Sequence, residues 1–248
     1  MRRVQRVAID NATQTYLNNR QTKANSQLNA GGLNVNDEWK SARRTKAMNT
    51  VHATLQSMMG ARQRCMYCLD SHGCDIEHFR PKSSYPKWMF KWNNLLLCCT
   101  ECGRIKGIQF PMDCGRPMLI DPTSEEPWDS LDFDPATGNI TAKFDLRAND
   151  FSVRGQKTVD TLQMDRREAL AAGYVHSYKK LCIAINNFFL HTPSQIADQL
   201  IADLLKEDEH GLLGWCFKGT GQNEAPFSQL KNQHPAVWRA CCIAFKYK

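Results

Sequence analysis

The sequence predicts an α+β protein in which a small unit of two strands and a helix lies between helical N- and C-terminal regions. Three observations predict this class. Two C-x-x-C pairs, Cys65 with Cys68 and Cys99 with Cys102, enclose short apolar segments of strand length. Helix-forming segments with capping signals flank this stretch on both sides. Prolines cluster between residues 108 and 150, where they exclude long helices.

The N-terminal segment, residues 1–60, is predicted to be a basic arm followed by a helix. Residues 4–9 suit an extended arm or a short strand. A helix should run from 36 to 59, because Asn36 can cap it and acidic residues occupy its first turn. Gly60 is the predicted stop of this helix.

The two cysteine pairs have the spacing of zinc-binding knuckles. Two thiolates at C-x-x-C bind one side of a tetrahedral Zn²⁺, and a second pair completes the other side. The predicted ligands of a structural zinc ion are therefore Cys65, Cys68, Cys99 and Cys102. Cys98 is the alternative ligand, but Cys99 is preferred because it repeats the i, i+3 spacing of the first pair. Within residues 61–120, strands are predicted at 76–79 and 95–97, and a helix at 100–105.

Glu77 and His78 are adjacent at the end of the first predicted strand, before Pro81. A carboxylate can hold a divalent cation such as Mg²⁺ or Mn²⁺, and an imidazole can deprotonate a water molecule near neutral pH. Cleavage of a phosphodiester bond needs both functions. An isolated Glu-His pair is usually a solvated surface feature, but its place between two cysteine pairs favours a catalytic site.

This stretch resembles the HNH endonucleases, whose ββα-metal motif comprises two strands and a helix around one catalytic metal. The matching pieces are Cys65/Cys68, Glu77-His78, Asn94-Leu95, Cys99/Cys102 and Lys106-Gly107. The resemblance implies that His78 is the general base and that Glu77 is a ligand of the catalytic cation. It also implies that Asn94 braces the loop beneath the histidine and that the cysteines are structural.

More narrowly, residues 60–140 are similar to the Septu-type (PtuB-like) HNH proteins of phage-defence operons, some of which are associated with retrons. The similarity is carried by the segments EHFRPKS, WNNLLLCC, KG and FP separated by two residues, LIDP and FDPATGNI. It implies an antiphage defence effector that works beside an ATPase subunit of the same operon, similar to PtuA. Where the operon is a retron, a reverse transcriptase with its noncoding DNA is a further implied partner.

One position departs from the HNH pattern. The residue after the last cysteine is commonly Asn or His and is the second metal ligand, whereas this chain has Gly103. The alternatives are a replacement ligand from Asp113, Glu101 or Asp121, a water molecule in its place, or weak metal binding. RNA brings its own 2′-OH nucleophile and needs less help from a metal. The substrate is therefore left open, with DNA favoured over tRNA or another RNA.

The second half of the chain is predicted as a strand and turn extension, residues 121–150, followed by a helical region, residues 151–248. Strands are predicted at 118–120 and at 139–144, the second after a turn at 134–138. A helix is predicted at 157–189, with Gly173 as a weak point. A second helix is predicted to start at Thr192-Pro193 and to run through 205, and a third is predicted at 235–245. The late aromatic residues Trp238, Phe245 and Tyr247 suit either a packed subdomain or a docking surface for another protein.

The positive charge is concentrated near the N-terminus. The net charge is +7, and residues 1–64 carry eleven Lys and Arg against three Asp and Glu. A basic segment suits a polyanionic partner such as nucleic acid, although an ordinary solvated surface is the alternative. The predicted contacts to nucleic acid are Lys82, Arg104 and Lys106. In the loop after Pro81, Tyr85 and Trp88 suit base stacking, with core packing of Trp88 and Trp92 as the alternative.

Composition narrows the class of protein further. A chain of 248 residues with 42% hydrophobic residues fits one elaborated domain or two small ones. No apolar run reaches the ~18 residues of a membrane span, and no secretion signal is expected at the N-terminus. Eleven cysteines, an odd number, favour a reducing cytoplasm over a disulfide framework. The sequence has no glycine loop of the kind that cradles phosphates, so nucleotide hydrolysis by this chain is not expected.

The sequence therefore predicts a phosphodiester endonuclease, with two alternatives from other classes. One is a non-catalytic nucleic-acid-binding zinc module, in which Gly103 records a lost metal site. The other is a zinc-stapled scaffold that binds only protein. A nuclease assay separates the first alternative from the enzyme, and nucleic-acid binding at low salt separates the second.

Overall fold

The structure is a computed structural model that describes residues 1–190 and 196–245. Within these residues, helices combine with four two-stranded antiparallel pairs, which is an α+β architecture. The chain divides into two compact units. The N-terminal unit comprises Gln5–Tyr67 and Ser71–Pro117, and the C-terminal unit comprises Met1–Val4, Cys68–Asp70 and Met118–Lys248.

Three helices open the N-terminal unit: α1 (Asn11–Asn29), α2 (Val35–Ala42) and α3 (Lys46–Met58). The prediction of one helix over 36–59 was wrong, because the backbone of Thr45 is extended and its side chain caps a new helix at Met48 N. The cap of α2 is Asn34 rather than Asn36, since Asn34 Oδ1 accepts hydrogen bonds from two backbone amides of the first turn. Residues 4–9 form no strand.

The centre of this unit is β1 (Asp75–His78), β2 (Leu95–Cys98) and α4 (Thr100–Lys106). β1 and β2 are antiparallel, with His78 opposite Leu95 and Asp75 opposite Cys98. All four residues of β2 are buried, so its hydrophobic run forms core on both faces. The predicted strands and helix are confirmed to within about two residues at each end. A small hairpin, β3 (Met112–Asp113) with β4 (Arg116–Pro117), follows α4.

The C-terminal unit contains two more hairpins and six helices within the described residues. The strands are β5 (Leu131–Phe133) paired with β6 (Ile140–Ala142), and β7 (Phe144–Asp145) paired with β8 (Asp150–Phe151). The helices are α5 (Val153–Leu162), α6 (Glu168–Leu190), α7 (Ile196–Glu207), α8 (Leu213–Lys218), α9 (Phe227–Gln233) and α10 (Pro235–Ala244). The predicted helix at 235–245 is confirmed as α10. No helix in the described part of the chain has the length and apolar character that crossing a membrane requires.

Several predictions for the C-terminal unit were wrong at their boundaries. The single helix predicted over 157–189 is two helices, because α5 ends where Gln163 adopts the left-handed conformation, with φ of 49°. Gly173 is not a weak point, since it lies inside α6, where a Cβ would meet Nε2 of His210 at 2.8 Å. The strand predicted at 118–120 does not form, and the amide of Ile120 instead donates to Thr158 Oγ1 at 3.0 Å. The strand predicted at 139–144 is divided between β6 and β7.

The late aromatic residues form part of the core of the C-terminal unit. Trp238 and Phe245 are both buried. Their rings lie 4.6 Å and 5.0 Å from the ring of Phe217, centroid to centroid. They therefore pack internally rather than provide a docking surface. Tyr247 and the helix start predicted at Thr192-Pro193 lie outside the described residues.

Candidate functional site: a four-cysteine group beside a glutamate–histidine pair

Four cysteine side chains converge at the point where β2 meets α4. The Sγ atoms of Cys65, Cys68, Cys99 and Cys102 all lie within 4.8 Å of one another, and all four residues are buried. Thiolates at this separation suit tetrahedral zinc, with Zn–S distances of about 2.3 Å. Across residues 1–190 and 196–245, no other group of three or more His, Cys, Asp or Glu side chains converges in this way. The predicted ligand set can therefore hold a structural zinc ion.

Local backbone contacts hold the two knuckles in place. The amide of Met66 donates to the carbonyl of Leu97 in β2 at 2.9 Å, which ties the first knuckle to the strand. Cys99 is the N-cap of α4, and its Sγ accepts a hydrogen bond from the amide of Cys102 at 3.4 Å. A thiolate bound to zinc can accept such a bond, so the cap and the metal site reinforce each other.

Cys98, the alternative ligand, lies outside the group. Its Sγ is 4.0 Å from Sγ of Cys65 and donates to the carbonyl of Cys99 at 3.3 Å. Hydrogen bonds with Cys65 and Cys99, together with burial, raise the pKa of the Cys98 thiol far above its ordinary value. Cys98 is therefore not one of the four cysteines whose Sγ atoms converge.

His78 is the last residue of β1 and is only 4% exposed. Its Nε2 lies 3.0 Å from the carbonyl oxygen of Met89. A carbonyl only accepts hydrogen bonds, so we assign the proton of the ring to Nε2, which leaves Nδ1 as the basic nitrogen. Burial, followed by the charges of Lys82 and Lys106, lowers the pKa of His78 to about 3. The imidazole is therefore neutral near pH 7, with a lone pair at Nδ1.

Asn94 connects the two ends of the loop that runs from β1 to β2. Its side chain is 1% exposed. Oδ1 accepts from the amide of Arg80 at 2.8 Å, and Nδ2 donates to the carbonyls of Arg80 and Trp88 at 3.1 Å and 3.0 Å. Because the same loop carries Met89, the partner of His78, these contacts position the imidazole. The side chain of Asn94 thus braces the loop through hydrogen bonds to its backbone.

Glu77 faces the C-terminal end of α4. Its Oε1 accepts a hydrogen bond from Nζ of Lys106 at 2.8 Å, and the same ammonium donates to the carbonyl of His78 at 2.8 Å. The side chain of Lys106 is fully buried, whereas that of Glu77 is 20% exposed. A fully buried ammonium does not fit the predicted contact of Lys106 with nucleic acid. The ammonium of Lys106 instead donates to Glu77 and to the carbonyl of His78, the last two residues of β1.

Gly103 lies on the face of α4 that is turned toward Glu77. A Cβ at this position would be 3.8 Å from Oε2 of Glu77, so a side chain here would point to the carboxylate. Among the described residues, Glu77 belongs to no group of three or more His, Cys, Asp or Glu side chains that could hold a metal ion, so none of the considered replacements, Glu101, Asp113 and Asp121, completes such a group with it. Asp121 Oδ1 instead accepts two hydrogen bonds from Thr123, at 2.8 Å and 2.7 Å. Gly103 thus supplies no side-chain ligand beside Glu77, and the catalytic Mg²⁺ or Mn²⁺ stays a prediction.

A basic and aromatic surface follows His78 along the chain. The guanidinium of Arg80 lies 4.7 Å from the ring centroid of Trp88, 5.3 Å from that of Phe110 and 5.7 Å from that of Tyr85. Trp88 is 37% exposed, Lys82 is half-buried and Arg104 is exposed. These residues present cations and π-faces together, as single-strand binding surfaces do. We call Arg80, Tyr85, Trp88 and Phe110 the arginine–aromatic cluster.

The comparisons with known proteins give one distant relative. The chain is 29% identical over 140 residues to the Septu protein PtuB of Bacillus thuringiensis, and the match covers 52% of this chain and 49% of that protein. The two are distant homologues over half their length. The chain thus spans about half the length of the curated relative it matches. No family model matches the chain.

Two features of the site were not predicted from the sequence. Arg80 was not singled out, although an arginine two residues after His78 and followed by Tyr85 and Trp88 is a visible signal for a cation–π cluster. Trp92, considered together with Trp88 as core, differs from it in its contacts. Its Nε1 donates to the carbonyl of Val7 at 3.0 Å, which anchors the N-terminal segment to the site.

Proposed function

We propose that this chain is an HNH-type endonuclease effector of an antiphage defence system, in which β1, β2 and α4 form the ββα unit. The observation that carries the proposal is the placement of His78 next to Glu77 at the end of β1, with its Nε2 3.0 Å from the carbonyl of Met89, which leaves Nδ1 as the nitrogen that can accept a proton. The distant homology to the Septu protein PtuB supports the defence role. When bound by the four cysteines, zinc supplies a structural cross-link between the two knuckles and no reacting group.

His78 performs the proton transfer in this proposal. With DNA as the favoured substrate, a water molecule gives a proton to Nδ1 of His78 while its oxygen bonds to phosphorus. The bond from phosphorus to the leaving oxygen breaks, and that oxygen takes up a proton from solvent. With tRNA or another RNA, the 2′-OH can replace water as the nucleophile. It loses its proton to the same nitrogen, and the products are a 2′,3′-cyclic phosphate and a free 5′-OH.

A nuclease assay tests the proposal directly. Purified, zinc-loaded protein is incubated with DNA and with RNA, each single-stranded and double-stranded, and the new termini are identified by sequencing. Cleavage of any of these substrates that is lost with His78 supports the enzyme. The absence of cleavage by the intact defence complex, in cells in which it is triggered, would overturn it.

The non-catalytic alternative is favoured by one observation. Glu77 is already paired with Lys106, and Gly103 offers no ligand, so the place where the HNH resemblance puts a catalytic metal has lost part of its donor set. In this alternative the chain binds nucleic acid through its arginine–aromatic cluster without cutting it. The nuclease assay decides between the two functions, because both include nucleic-acid binding.

We infer that the arginine–aromatic cluster binds unpaired nucleotides. Replacing Trp88 with alanine is expected to weaken binding to single-stranded nucleic acid by about 1–3 kcal/mol, since base stacking on an aromatic ring contributes this much per base. Fluorescence anisotropy with a labelled single strand at low salt measures the change. The matched control is Phe151→Ala, which removes an aromatic ring that is 54% exposed in the C-terminal unit. Equal losses for both variants would contradict the assignment.

We also propose that the chain assembles with an ATPase subunit similar to PtuA, and in a retron with the reverse transcriptase and its DNA. The distant homology to the Septu protein PtuB supports the proposal, and the described C-terminal helices expose two isoleucines for a partner to cover, Ile183 on α6 at 56% and Ile243 on α10 at 76%. Co-expression with the neighbouring ATPase is expected to yield a complex that survives size-exclusion chromatography. Ile243→Asp should weaken it, and Leu146→Asp in the loop between β7 and β8 should not. Recovery of this chain alone would contradict the proposal.

A further inference from the structure

The buried ammonium of Lys106 has two strong acceptors. Oε1 of Glu77 and the carbonyl oxygen of His78 each lie 2.8 Å from Nζ. The side chain is 0% exposed, although lysine is almost never fully buried unless it is paired. A buried charge persists only where nearby acceptors compensate for its lost hydration. The structure therefore fixes one positive charge against the carboxylate of Glu77 and against the backbone of His78.

The same carboxylate has little left to offer a divalent cation. Mg²⁺ binds in near-octahedral geometry, through one or two carboxylates and several waters, at about 2.0–2.1 Å. Oε1 of Glu77 is engaged by Lys106, and the position that faces Oε2 is Gly103, which has no side chain. A divalent cation at Oε2 would also lie close to the ammonium and be repelled by it. The small number of ligand atoms at Glu77 and the positive charge of Lys106 both disfavour binding of a divalent cation there.

We propose that the ammonium of Lys106 occupies the position beside Glu77 where the HNH resemblance puts a divalent cation, so that the site binds no catalytic metal. The inference rests on the proposed function. It says that in an HNH-like site the ammonium of Lys106, and not a metal ion, pairs with the carboxylate of Glu77. Lys106 is a positioning residue. Its ammonium orients Glu77 and the backbone carbonyl of His78, and it touches no substrate because it is buried.

Metal binding tests this inference separately from cleavage. Zinc-loaded protein is titrated with Mn²⁺, and bound ion is measured by electron paramagnetic resonance, with zinc content kept at one per chain. The wild type is expected to bind Mn²⁺ no more tightly than the Glu77→Gln variant does. One Mn²⁺ per chain that binds to the wild type in the micromolar range, and is lost in Glu77→Gln, would overturn the inference.

Two substitutions that together should create a metal site provide a second test. A Cβ at Gly103 would make only ordinary contacts, at 3.8 Å to Oε2 of Glu77 and to Sγ of Cys98, so Gly103→Asn is chosen to bring an amide oxygen beside the carboxylate. Combined with Lys106→Met, it should create a site that binds one Mn²⁺ at least tenfold more tightly than the wild type. Addition of Glu77→Gln should abolish that gain, which a merely structural role of Lys106 would not produce.

Folding and activity are followed in parallel. Circular dichroism and zinc content show whether each variant folds, and should Lys106→Met fail to fold, the comparison of wild type with Glu77→Gln still decides the question. In the cleavage assay, omission of added Mg²⁺ and Mn²⁺ should leave the rate of the zinc-loaded wild type unchanged. A rate that depends on either ion would count against the inference. Absence of cleavage under every condition would instead count against the nuclease, while the Mn²⁺ titration would still report on the site.

Discussion

Replacing His78 with alanine is expected to lower the cleavage rate by a factor of about 10²–10⁴, the usual loss when a general base is removed. The reason is that the hydrogen bond from Nε2 to the carbonyl of Met89 leaves Nδ1 as the nitrogen that can accept a proton. Single-turnover cleavage with excess enzyme measures the effect free of product release. Affinity for the substrate should be unchanged, because the arginine–aromatic cluster is intact.

A second variant guards against a loss of folding. His78 is buried and packs edge-on against Trp39, with ring centroids 4.3 Å apart, so alanine leaves a cavity. His78→Gln keeps a donor for the Met89 carbonyl but has no basic nitrogen, and it should be as inactive as the alanine variant. His72→Ala, at an exposed histidine of the same unit, is the control and should retain activity. Cleavage by the glutamine variant at the wild-type rate would show that His78 is not the base.

Replacing Cys99 with serine is expected to release the zinc ion and unfold the N-terminal unit around β1, β2 and α4. Structural zinc contributes folding free energy directly, with apparent values of about 10–16 kcal/mol in zinc-finger peptides at neutral pH. Serine is itself a good N-cap, so α4 keeps its cap and the loss reports on the metal ligand. Zinc content, thermal unfolding and amide hydrogen exchange of residues in β2 measure the change.

Two further cysteine variants give this experiment its controls. Cys74 is exposed, and its Sγ lies 3.3 Å from Oγ1 of Thr100, outside the four-cysteine group. Cys74→Ser should therefore keep one zinc per chain and the wild-type melting temperature. Cys98→Ser removes the neighbouring buried thiol and should also keep the zinc. Retention of zinc by Cys99→Ser together with its loss in Cys98→Ser would show that the ligand assignment is wrong.

Features of short range could be predicted from the sequence. The spacing of Cys65, Cys68, Cys99 and Cys102 determines that two knuckles can meet, and the structure brings these four side chains together. The strand predicted at 95–97 and the helix predicted at 100–105 match β2 and α4 closely. Both signals depend on residues a few positions apart, where backbone preference and ligand spacing leave few alternatives.

Helix breaks were harder to predict, because hydrophobic periodicity continues through them. The segment 36–59 reads as one helix, but Thr45 competes as a cap and ends the first helix early. Likewise, the segment 157–189 is interrupted after Gln163, although its apolar spacing suggests a continuous stripe. A capping side chain stabilises a helix start by only about 1 kcal/mol relative to alanine, so the packing of neighbouring elements decides whether a helix continues or a new one begins.

The sequence by itself determined the chemistry that is present: four thiols at zinc spacing, an acid next to a histidine, and a glycine where a ligand is expected. Only the tertiary structure decided how these groups are used. It buries Lys106 against Glu77, from 29 residues away along the chain, and gathers Arg80 with three aromatic rings. The physical reason is that burial and the direction of a side chain depend on which elements pack together. A lysine near a helix end reads as solvated until the strand opposite it supplies a carboxylate and a carbonyl.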